Sequence, residues 1–175
     1  MTAPRVYLAG FDVFRPDAVA YGAHLQAECA ARGLIGLYPL DQAAPAGLSP
    51  HETADWIFRN NVALIDRADA VVANLNPFRG HEPDSGTAFE VGYACARGKP
   101  VWGYFDDVRD IVSRVAVSRL PAEDGVGAAV RHVDGDGMLV EDFDLPVNLM
   151  LACSVTRIHG DVQHGLDAVA RHFAR

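Results

Sequence analysis

Four short, unbroken apolar runs limit most strongly what this chain can fold into: Val6 to Ala9, Leu34 to Tyr38, Ala70 to Leu75 and Pro100 to Phe105. They are too short for helices and too continuous for strands with one wet face, so they read as strands covered on both sides. Between them the apolar spacing turns helical. Asp17 to Arg32 follows Pro16, sets Val19, Ala23, Leu25 and Ala27 among polar residues, and stops at Gly33. Ser49-Pro50-His51-Glu52 supplies a hydroxyl acceptor, a Pro in the first turn and a Glu three residues on, which is a capping box. The helix it opens carries Trp56, Ile57, Asn60, Leu64 and Ile65 and runs to about Ala68. A third spans Gly86 to Arg97 and is closed by Gly98.

Strands alternating with helices imply right-handed crossovers and a parallel sheet with helices on both faces. With Ser154 to Ile158 as a fifth strand and Val162 to Phe173 as a closing helix, the expected fold is α/β. Its form is a flavodoxin-like or Rossmann-like three-layer sandwich around a mostly parallel five-stranded sheet, in one domain over residues 1–175. Residues 107–144 read as an excursion or flap outside that core. Ile111 to Leu120 is patterned as a helix, Pro121 to Gly127 as a loop, and Asp134-Gly135-Asp136-Gly137 as a turn.

Charge and cysteine usage narrow the function. The formal net charge is −8, and the basic residues are scattered arginines with Lys99 the single lysine. No basic stripe is available for nucleic acid or an anionic membrane, so a small or neutral substrate is expected. Cys29, Cys95 and Cys153 are widely spaced in apolar or Ala-rich surroundings and read as buried structural thiols in a reducing compartment. The amino-terminal residues lack the charged lead and apolar stretch of a signal peptide. No run approaches the roughly 20 apolar residues of a membrane span. The expected location is cytoplasmic. The histidines have no partners at metal-ligand spacing, and neither a Gly-x-Gly-x-x-Gly turn nor a phosphate loop occurs, so no metal and no cofactor are expected.

In a parallel α/β sheet, ligands gather at the carboxyl ends of the strands. That rule points to the loops after Ala9, Tyr38, Leu75 and Phe105. The third of these, Asn74 to Gly86, is rich in turn formers and polar groups and enters a helix at Gly86-Thr87. Glu90 lies in the early turns of that helix, where the dipole favours a carboxylate anion. Asp84 stands just ahead as a candidate cap, and Thr87, Glu90, Tyr93 and Ala94 share a helix face. Spacing alone reads Glu90 as a solvated helix carboxylate and leaves Asp84 between cap and ligand.

Four segments carry a resemblance: Val6-Tyr7-Leu8-Ala9-Gly10, Asn74-Leu75-Asn76-Pro77-Phe78-Arg79-Gly80, Asp84 to Ala94, and Pro146-Val147-Asn148-Leu149-Met150. In this order they resemble the nucleoside 2-deoxyribosyltransferase family. The resemblance implies that Glu90 attacks the anomeric carbon to form a glycosyl-enzyme and that Tyr7 orients it. It implies that Asp84 and Asn148 hold the sugar hydroxyls, Asn148 reaching in from a neighbouring subunit of a homo-oligomer. Gly86 and Met150, within the matched segments, join the substrate-binding set. The implied partners are 2'-deoxyribonucleosides and free nucleobases. The carboxylate suits the chemistry, since glycosidic cleavage builds positive charge at the anomeric carbon.

Two departures stand out. Some members carry, in place of Asn61, an Asp that protonates the leaving base, and an Asn cannot act as a general acid. Either hydrogen bonds polarise the base, or Asp12, Asp41 or a water supplies the proton. Gly10-Phe11-Asp12-Val13-Phe14 resembles the Gly-Pro-Asp-Val-Phe of one branch, with Phe11 for the proline. Phe11 and Phe14 are candidates to stack on the base, core packing being the alternative. An N-glycoside hydrolase on the same scaffold is the rival activity. Its nucleotide-cleaving relatives carry a Ser where Asp84 stands, and an anionic Asp repels a phosphate. A non-catalytic nucleotide-sensing module is the third reading, marked by loss of Glu90 or Tyr7, both of which are present.

Overall fold

The computed structural model describes residues 2–121 and 130–174. Five strands form the main sheet: β1 (Arg5–Ala9), β2 (Ile35–Leu37), β3 (Ala70–Asn74), β4 (Val101–Phe105) and β8 (Thr156–His159), in the order β2-β1-β3-β4-β8. Every pairing is parallel, with Tyr7 opposite Leu37 on one side and Val71 on the other. This is the flavodoxin-like order, and its switch point lies where the chain leaves β1 for β2 on one side and β3 on the other.

The alternation of each strand sorts its side chains to two cores. Val6, Leu8, Val72, Trp102 and Tyr104 meet Leu25 and Cys29 of α1 (Ala18–Ala30) and Leu166 and Val169 of α6 (Val162–Phe173). Tyr7, Ala9, Val71, Ala73 and Phe105 meet α2 (Pro50–Arg67) through Leu64 and Ile65, and α3 (Ser85–Ala96) through Val91 and Ala94. The result is a three-layer α/β sandwich, as the apolar runs predict. The Ser49 capping box is formed: its hydroxyl accepts from the Glu52 amide, and Glu52 accepts from the Ser49 amide at 2.9 Å. Gly98, at φ 70°, closes α3 with the left-handed residue a helix end favours.

The region from residue 107 departs from its local pattern. Of the helix expected over Ile111 to Leu120, Ile111–Val115 (α4) forms, and the chain then extends into β5 (Ser118–Pro121). β5 pairs antiparallel with β6 (Val130–Val133), which pairs with β7 (Leu139–Val140) around the Asp134–Gly137 turn. The β-branched residues Val115 and Val117 tolerate either state, and pairing with the following strand decides between them. The rest of the predicted loop, residues 122–127, lies outside the described residues. The cysteine expectation holds only for Cys29, whereas Cys95 and Cys153 are exposed. Their Ala-rich surroundings belong to helical turns in which small residues also face outward, so composition does not locate the inner face. No helix among the described residues is long and apolar enough to cross a membrane.

Candidate active site

The loops after β1, β2 and β3, together with α2 and α3, enclose a cavity of about 540 Å³ at the switch point. Glu90 and Asp84 are the carboxylates on its lining. Asp84 is the N-cap of α3, its Oδ2 accepting from the Thr87 amide at 3.0 Å and from the Thr87 hydroxyl at 3.2 Å. Thr87 is buried, so the cap fixes the helix start from inside the protein. Glu90 sits one turn further along. The fully buried Tyr7 points from β1 toward α3, and its hydroxyl donates to Glu90 Oε1 at 2.6 Å.

The electrostatics of this pair differ from those of a surface helix carboxylate. Burial pushes the Glu90 carboxyl up to about 7. The Tyr7 hydrogen bond opposes that rise, the Asp84 charge adds to it, and a hydrogen bond from Asn61 opposes it. The dipole expected to favour the anion is outweighed, because desolvation of a charge exceeds the few tenths to one kcal/mol of a helix end. Burial, followed by the neighbouring Glu90, pushes the Tyr7 phenol far above its ordinary range, so Tyr7 is the proton donor of the pair.

Asn61, on α2, lines the same cavity, and its carbonyl oxygen is buried with no hydrogen-bond partner among the described residues. Gly10, Phe14 and Gly86 also line it. Phe14 is 54% exposed and stacks on Phe78 at 5.3 Å between ring centroids. Other sequence candidates lie elsewhere. Phe11 stacks on the opposite loop through Phe78 at 4.9 Å and is not on the lining. Asp12 is buried against Asn74, its Oδ2 accepting from Asn74 Nδ2 at 3.0 Å. Asp41 accepts from the Tyr38 amide at 2.9 Å and from Gln26 Nε2 at 2.8 Å, also away from the lining. Neither Asp12 nor Asp41 therefore lies on the cavity. Their carboxylates serve the loops that carry them.

Asn148 is the N-cap of α5 (Leu149–Ala152). Its Nδ2 donates to Glu141 Oε1 at 2.8 Å and its Oδ1 accepts from the Met150 amide at 2.9 Å. Neither Asn148 nor the exposed Met150 lines the cavity of its own chain. Val13, Val19, Pro39, Leu40, Ala44 and Ile57 give the cavity an apolar wall that no sequence pattern assigns to a site, and Gln42 joins the lining likewise. The strand-end rule reaches the loop after Tyr38, but nothing local marks which of its residues face inward. Among the described residues no cluster of His, Cys, Asp and Glu is arranged to hold a metal ion.

A family model described as nucleoside 2-deoxyribosyltransferase matches residues 6–150. An uncharacterized protein of Schizosaccharomyces pombe is 34% identical over 157 residues, spanning 84% of this chain and 74% of that protein. Among solved structures, the 2-desoxiribosyltransferase from Leishmania mexicana superposes with a TM-score of 0.76 at 31% identity, over 97% of this chain and 98% of that one. A CMP N-glycosidase of Clostridium botulinum aligns over 94% and 97% of the two chains at 15% identity and a TM-score of 0.48. That likeness is too remote to bear on chemistry.

Proposed function

Because the chain belongs to the nucleoside 2-deoxyribosyltransferase family, we propose that it exchanges the nucleobase of 2'-deoxyribonucleosides through a covalent intermediate on Glu90. The observation that carries this reading is the Glu90 carboxylate opening on the cavity with one oxygen held by Tyr7 at 2.6 Å. The other oxygen is left to attack C1'. In the first displacement the Glu90–C1' bond forms and the N-glycosidic bond breaks, its electron pair leaving with the base. In the second, a ring nitrogen of another base attacks C1' and returns the pair to Glu90. Two inversions give net retention.

The leaving base takes its proton from water, since Asn61 has none to give and Asp12 and Asp41 are engaged elsewhere. Asn61, on the lining of the same cavity, orients the ring. Asp84, an anion in the same cavity, accepts from the free 5'-hydroxyl and disfavours a 5'-phosphate, which supports a nucleoside over a nucleotide substrate. Asn148 completes the sugar site of a second copy of the chain. Exposed Phe58 and Phe89 beside Glu90, and exposed Met150 beside Asn148, are the apolar surface such a contact buries.

Given 2'-deoxyinosine and adenine, the protein is expected to yield 2'-deoxyadenosine and hypoxanthine by chromatography, and Glu90→Ala to yield neither. Free deoxyribose without transfer would favour the hydrolase. No reaction across several bases and deoxynucleotides would defeat both, and full activity in Glu90→Ala would remove the nucleophile.

A further inference from the structure

Asp12, a buried carboxylate that the reaction leaves unused, begins a chain of polar contacts across the carboxyl ends of three strands. It lies on the 3-10 turn Phe11–Phe14 after β1 and is 7% exposed. Its Oδ2 accepts from Nδ2 of Asn74, the last residue of β3, at 3.0 Å. Asn74 Oδ1 accepts in turn from the Asn76 amide at 3.2 Å and from Asn76 Nδ2 at 2.9 Å. Asn76 Oδ1 then accepts from the amide of Asp106, the first residue beyond β4, at 2.8 Å. The fit around these groups is close. A Cβ on Gly10 would lie 2.8 Å from Asn74 Cβ and 2.9 Å from Asp12 Oδ2.

Gly10, Val13 and Phe14, on either side of Asp12, face the cavity. The contact that holds Asp12 therefore fixes the wall of the cavity from behind. A buried carboxylate costs desolvation that an apolar side chain would avoid. What it supplies instead is a directional, charge-assisted hydrogen bond, which sets one position of the turn where packing alone tolerates several.

We propose that Asp12 is a positioning residue that acts through Asn74 to hold Gly10–Phe14 where the nucleobase fits. That a nucleobase is what fits there rests on the deoxyribosyltransferase reading above. The position of the segment itself does not depend on that reading.

Asn74→Asp places two carboxylates at the 3.0 Å contact and breaks it. Asp12→Asn combined with Asn74→Asp restores it with the roles exchanged. The amide then donates from position 12, and the carboxylate at position 74 still accepts from Asn76. In the single variant the backbone amide resonances of residues 10–14 are expected to shift, and KM for the deoxynucleoside to rise roughly tenfold with a much smaller change in kcat. Both are expected to return toward wild type in the double variant. Unmoved resonances in the single variant, or a double variant that stays displaced, would overturn the proposal. So would resonances that move and return while KM never changes. Should the single variant fail to fold, the double variant decides: wild-type-like KM and resonances support the contact, and a double variant that also fails removes it. A wild-type protein without transferase activity would sink the proposed reaction, while the resonances still decide the role of Asp12.

Discussion

At Glu90, opposing physical effects meet in one carboxyl group. A helix start and hydrogen bonds from Tyr7 and Asn61 favour the anion, while burial and the Asp84 charge disfavour it, and burial wins. In the proposed reaction Glu90 attacks as the anion, so kcat/KM is expected to be flat above pH 7. Below about 7 it should fall roughly tenfold per pH unit as Glu90 takes up its proton. Tyr7→Phe removes a bond that stabilises the anion, so the midpoint of that limb should move to higher pH and the plateau should drop by roughly an order of magnitude. A pH–rate profile of the two proteins checks this, and an unchanged midpoint would mean that the 2.6 Å contact does not tune Glu90. The sequence made Asp84 legible as a cap because capping is local. It could not make the acidity of Glu90 legible, since desolvation depends on Tyr7 and Asn61 packing over it from other elements.

At the scale of elements, what was legible followed from what each segment could satisfy alone. The Ser49 capping box was readable in four residues because its donors and acceptors all lie within them. Ser49→Ala should therefore cost about 1 kcal/mol, read as a lower midpoint in urea unfolding with unchanged slope. Loss of well under half that amount would mean that the box contributes little in this context. The buried strands were readable because short continuous apolar runs are stable only when both faces are covered. The segment after Val115 was misread as helix because β5 exists only through its pairing with β6. A strand whose stability comes from a partner across a loop leaves no period of its own to find.

At the scale of the whole molecule, Asn148 is held at the start of α5, off the cavity of its own chain. α4 and the Asn148 segment are tied together, Arg114 donating to the carbonyls of Pro146 and His81. If the residue serves a neighbouring copy, Glu90→Ala and Asn148→Ala proteins, each inactive alone, should regain roughly a quarter of full activity when unfolded together and refolded as a mixture. In a mixed dimer one site then has both groups and the other has neither. No recovery on mixing, or an active monomer by sedimentation, would place Asn148 outside the reaction.

The sequence by itself determined the layers and the strand-end location of the cavity, because hydrophobic period and helix caps are properties of short segments. It also singled out Glu90, Tyr7 and Asp84, through residue patterns rather than contacts. Only the tertiary structure decided what those groups experience and which neighbours they have. It set Glu90 near neutrality, turned Phe11 and Asp12 away from the cavity, and raised an apolar wall from the loop after β2. Desolvation, packing and strand pairing arise between residues far apart in the chain, so no local pattern records them.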